Sequence, residues 1–115
     1  MLKQLISALV IFVIILASSW ALLHPGIFKI HDFVHGARIA EMARGLNDGQ
    51  FPVIWSQNFG YGYGMPLFVF YAPLPYFIGA GFYMFGLPLV VSVKLLFLLC
   101  TIFTAIGAYK LGSIL

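Results

Sequence analysis

The chain has 115 residues, 63% of them hydrophobic and only 8% charged, with a mean hydropathy of +1.06. A soluble domain of this size has too little interior to hide so much apolar surface, so lipid is the expected solvent. The formal charge of +3 comes from six scattered Lys and Arg without a basic run, which speaks against nucleic-acid binding and for membrane-flanking roles.

Residues 5–23 carry no charge and, as a helix of roughly 1.5 Å per residue, would cover roughly 28 Å, close to a bilayer core of about 30 Å. This predicts a first membrane span. A cleaved signal peptide competes with it, since Lys3 precedes the run and Ser19-Trp20-Ala21 offers small residues for cleavage, but the run exceeds the usual h-region of roughly 7–15 residues. A second apolar stretch, 65–87, is interrupted by Pro66, Pro73 and Pro75, which lipid tolerates where neighbouring groups satisfy the freed carbonyls. Phe85-Gly86-Leu87-Pro88 reads as a tight turn into a third span, 88–109, with Pro88 in its first turn. Lys94, about a turn and a half inside, is expected to snorkel to the nearer interface. The lone Cys100 lies in that apolar run, so neither an intrachain disulfide nor a CxxC site is available. The expectation is an all-α polytopic transmembrane module, 1–115, with three spans and one polar loop, 24–64.

That loop holds all three His, all three acids and half of the basic residues. Over about 32–47 the spacing predicts an amphipathic helix, lying on the membrane surface or against the spans. Asp32, His35, Gly36, Ile39, Met42, Ala43 and Leu46 share one face, and Arg38, Glu41, Arg44 and Asp48 the other. The charged side is expected to be solvated, with Arg38–Glu41 and Glu41–Arg44 at ion-pair spacing, and Asn47-Asp48-Gly49 supplies the stop. Asp32 stands at the helix start on the apolar side. An N-cap is one role for it, and a general base or metal ligand at the lipid–water boundary is the other. His31, Asp32 and His35 make a short His-Asp-x-x-His cluster, a weak metal signal without a fourth ligand.

Residues 51–64 mix aromatics, amides and glycines. Trp55, Tyr61 and Tyr63 suit sugar binding through their ring faces, and equally an aromatic belt at the membrane interface. Gly60-Tyr61-Gly62-Tyr63-Gly64 also suggests a potassium filter, but Asn58-Phe59 replaces the Thr-Val that precedes one, and the helix before it is too charged for a pore helix.

Taken together, His31-Asp32-x-x-His35-x-x-Arg38-x-x-Glu41, Gly49-x-x-Pro52-x-x-Trp55, and Gly60-Tyr61-Gly62-Tyr63-Gly64-x-Pro66-x-Phe68-x-Phe70-Tyr71-x-Pro73-Leu74-x-Tyr76 carry a resemblance. The pattern resembles the N-terminal part of the bacterial membrane proteins called 6-pyruvoyl-tetrahydropterin synthase-related, which are similar to polytopic GT-C glycosyltransferases. The resemblance covers nearly the whole chain. It implies a multi-pass protein of the bacterial inner membrane, a first loop facing away from the cytoplasm, Asp32 at an active site, and a sugar donor carried on a polyprenyl phosphate. A positive-inside count of the Lys and Arg residues taken alone favours the opposite orientation.

Sugar transfer from a lipid phosphate needs a base for the acceptor's proton and a cation for the departing phosphate. The resemblance makes Asp32 that base. Arg38, Lys29 or a divalent metal (Mg or Mn) held partly by His31, Asp32 and His35 would balance the phosphate, while His35, Arg38, Trp55, Tyr61 and Tyr63 would contact substrate. Expected partners are membrane lipids, the lipid-linked donor, and further spans or partner subunits, because three helices cannot enclose a lipid donor. The alternative is a non-catalytic membrane module that packs against other subunits or lines a pore.

Overall fold

A computed structural model describes residues 2–26 and 34–114, with side chains from residue 5 onward. Among the described residues the chain is all-α, with six helices and one isolated antiparallel β-bridge. The helices are α1 (Leu2–Ser18), α2 (Trp20–Leu23), α3 (His35–Asn47), α4 (Leu67–Phe70), α5 (Leu74–Met84) and α6 (Leu89–Ile114). The chain divides into two compact units: Met1–Phe28 with Phe97–Leu115, and Lys29–Leu96.

In the first unit, the apolar run expected as one helix over 5–23 breaks at Ser19. The Ser18 hydroxyl donates back to the Ile14 carbonyl, a local bond that bends helices, and the Ser19 N–H still reaches Ile15 O at 2.9 Å before α2 begins. An apolar groove of about 400 Å³ runs between α1 and the far part of α6, lined by Ile6, Val10, Ile14, Ala105, Ala108 and Tyr109. Leu5, Leu9, Phe12, Phe103, Leu111 and Ile114 are all exposed.

The second unit is built around α3. Ile39, Met42 and Ala43 pack against α5 and the start of α6, in a core with Val53, Leu67, Phe68, Tyr76, Ala80 and Leu96. The two helices approach closely because position 79 is glycine: a Cβ there would lie 2.6 Å from Ile39 Cδ1. Helix α3 stops where the sequence predicts, with the Asp48 N–H on Arg44 O at 2.9 Å and Gly49 in the left-handed region at φ 80°. The Phe51–Pro52 peptide is cis.

The expected span 65–87 is not a single helix. Pro66 immediately precedes α4, and Pro73 and Pro75 sit at and within the first turn of α5, where a missing N–H costs nothing, so the prolines start helices instead of kinking one. Tyr71 between them is extended. At roughly 1.5 Å per residue, the 11-residue α5 covers about 16 Å, well short of a bilayer core. The turn at residues 85–88 forms as expected, with Gly86 at φ 92°. After it, α6 runs 26 residues to Ile114, beyond the expected end at 109, and is the one described helix long and apolar enough to cross a membrane.

Candidate functional site

Helix α3 carries its charges in an unexpected place. Arg38 and Glu41 are each only 6% exposed, so half of the side expected to face water is covered, and Arg44 and Asp48 lie open. What covers Arg38 and Glu41 comes from residues far along the chain.

Arg38 points into an aromatic pair supplied by the segment around Pro73. Its guanidinium lies 4.1 Å from the centre of the Tyr71 ring, and Nη1 donates to the Tyr76 hydroxyl at 3.0 Å. His35, one turn earlier, brings Nδ1 within 3.2 Å of the same hydroxyl and stacks on the Tyr76 ring. A delocalised cation over an electron-rich face is stabilised by the ring, and Tyr71 remains half-exposed, so this cluster opens to the outside along one ring. Tyr76 itself is buried against Phe68.

Glu41, one turn beyond Arg38, is held from the other direction. The Ser56 hydroxyl donates to Oε2 at 2.7 Å, the Asn58 N–H donates to Oε2 at 3.0 Å, and the Asn58 amide donates to Oε1. Arg44 Nε lies 3.8 Å from Oε1, the expected i,i+3 pair. The other expected pair is not made: Arg38 gives its guanidinium to tyrosines and Glu41 accepts from the loop. Burial pushes the Glu41 carboxyl up, but the Asn58 N–H, the Ser56 hydroxyl, the Asn58 amide and Arg44 outweigh it and hold the group below the usual carboxylate range.

Those donors belong to the aromatic loop. Ser56 and Met65 exchange both backbone hydrogen bonds at 2.9 Å, closing residues 57–64 into a hairpin. A second tether runs from the Gln57 amide to Asp48 Oδ2 at 3.1 Å. The Trp55 indole lies where a side chain at position 64 would be, which only glycine at φ 78° permits. Tyr61 takes a left-handed conformation, φ 59°, rare for a bulky residue, and both Tyr61 and Tyr63 project fully from the hairpin. Trp55, Tyr61 and Tyr63 are therefore brought into one exposed aromatic element.

His31, Asp32 and Lys29 lie outside the described residues. Among the described residues no three His, Cys, Asp or Glu side chains group as metal ligands would, and His35 brings Nδ1 to Tyr76. Sequence reasoning missed Tyr71, Tyr76, Ser56 and Asn58 as partners of the α3 charges. Both tyrosines stood in the aromatic-proline pattern, but nothing local to α3 indicated that they fold back onto it. Comparison of the chain with family models, with curated proteins and with solved structures gives no match in any of the three.

Proposed function

We propose that this chain is the N-terminal part of a membrane glycosyltransferase-like protein of the GT-C kind, which transfers a sugar from a polyprenyl-phosphate donor at the extracytoplasmic face of the bacterial cell membrane. The observation that carries this reading is the pair of buried charges on adjacent turns of α3, each contacted by groups from the aromatic segment. Arg38 Nε is buried and makes no hydrogen bond among the described residues. Burying ions in so small a core is costly, which makes these two positions candidates for a functional site.

In this reading Asp32, three positions before His35 in sequence, takes the acceptor hydroxyl's proton. Arg38, presented through Tyr71, and His35 stand on the side of the donor phosphate, and the exposed rings of Trp55, Tyr61 and Tyr63 stack on the sugar. A divalent ion held with His31 and Asp32 would add charge balance at the phosphate. The module crosses the membrane three times: α1 continued by α2, then α4 with α5 as a broken span, then α6. Support for the broken span is compositional, since the 65–87 stretch contains no charged residue.

The test is transfer of labelled sugar from a polyprenyl-phosphate sugar in membranes holding the complete protein. Asp32→Asn at equal expression is expected to lower turnover by at least about 100-fold, as removal of a general base does. Unchanged turnover removes Asp32 from the chemistry, and absence of transfer by the wild-type protein overturns the glycosyltransferase reading itself.

A further inference from the structure

We propose that Glu41 is a positioning residue: its carboxylate is the clasp that sets the geometry of the aromatic hairpin, and through it the grip of Trp55, Tyr61 and Tyr63 on the sugar. This rests on the reading of that hairpin as the sugar-binding element. An ionised carboxylate only accepts hydrogen bonds, and Glu41 receives three from two loop residues, Ser56 and Asn58, using both oxygens. Those residues open the hairpin: Ser56 forms the bridge with Met65 at its neck, and Asn58 begins the turn that carries Tyr61 and Tyr63.

Elsewhere the loop is held by apolar contact of Phe59 and Met65 with the core, which leaves the aromatic tip unsupported. Tyr61 and Tyr63 touch solvent almost entirely, and the Trp55 indole rests on the backbone at Gly64. Besides the neck bridge, the Tyr63 and Gly64 N–H groups bond only within the turn, to Gly60 and Phe59 carbonyls, and the Gln57 tether to Asp48 is exposed. Charge-assisted bonds to a buried acid are the strongest of these attachments. Glu41 therefore fixes the orientation of the rings while touching neither donor nor acceptor.

Two readouts on the complete protein test this. By hydrogen–deuterium exchange, Glu41→Ala is expected to raise exchange across residues 56–65 about tenfold or more, as loss of bonds to a charged group does, with the peptide spanning α5 unchanged. In the sugar-transfer assay the same variant raises KM for the lipid-linked donor about tenfold with kcat within about twofold, because uniform binding is lost and the reacting groups remain. Asn58→Asp keeps the loop's shape, lies outside the core, and turns a donor into an acceptor facing an acceptor, so it must loosen the same peptide. Glu41→Gln, which retains an acceptor oxygen, restores most of the protection. Unchanged exchange of 56–65 in both Glu41→Ala and Asn58→Asp overturns the clasp, as does a loosening of α5 equal to that of the loop. Wild-type protein without transfer activity overturns the glycosyltransferase reading, while the exchange comparison still decides the clasp by itself.

Discussion

Among the described helices the most polar of the long ones is the best buried, and the longest apolar one is left almost uncovered. Helix α3 puts six of its 13 residues out of solvent, Arg38 and Glu41 among them, whereas α6, with 26 residues and one apolar run, buries only Ser92 and Leu96. Ordinary folding in water gives the reverse. The contrast is what two solvents would produce. An ionisable side chain must find its partners inside the protein, so α3 is surrounded by loops and by α5. An apolar side chain is satisfied by hydrocarbon, so α6 needs no protein cover if the membrane is its environment.

If that contrast is right, truncations in the two regions have very different costs. Met42→Ala or Ile39→Ala, at fully buried positions, is expected to destabilise the second unit by about 2–5 kcal/mol in detergent, whereas Phe103→Ala stays within about 0.5 kcal/mol; thermal or SDS denaturation of each variant measures both. Comparable losses at the two sites would mean that α6 buries its apolar face against protein. Gly79→Val drives a side chain into Ile39 and is expected to cost about 1–3 kcal/mol, felt at the contact of α3 with α5 and not in α6.

Acidity sharpens the comparison further. Because the folded carboxyl of Glu41 is held below its usual range, its contribution to stability is present above that range and is lost as pH falls through the lowered folded value. The melting temperature of wild-type protein should therefore drop on acidification in a way that Glu41→Gln removes. An identical acid profile in both would leave Glu41 without that role.

Labelling gives the last and gentlest test. A cysteine at fully exposed Tyr61 should react with an impermeant reagent in intact cells, and one at Phe85, in the exposed turn after α5, should react only after lysis. Equal reactivity at both sites would mean that the 65–87 stretch does not cross. Ser56 is a poor reporter, being fully buried beneath Glu41, and a cysteine there should stay silent in either orientation until the protein unfolds.

Much of α3 was legible in advance. Its apolar stripe of Ile39, Met42 and Ala43 and its stop at Asn47-Asp48-Gly49 follow from helical spacing and turn chemistry, which are local. The turn at Gly86 and the long helix after it were legible for the same reason. The 65–87 stretch was misread as one helix because hydropathy ignores which turn a proline falls in. The site was legible only as a roster of residues. Arg38 and Glu41 were expected in water because a helical wheel says which residues face away from the stripe and nothing about what arrives to cover them.

From the sequence alone came the apolar character of the chain, the stop of α3, and the residue types of the candidate site, since composition and short-range periodicity are properties of neighbours along the chain; the start of α3, expected at about 32, falls at His35. Tertiary structure alone decided that Tyr71 and Tyr76 receive Arg38 and that Ser56 and Asn58 clasp Glu41. Those partners lie 15 to 38 residues away, and which of them meet depends on how two helices pack across a glycine and how a loop closes over a charge.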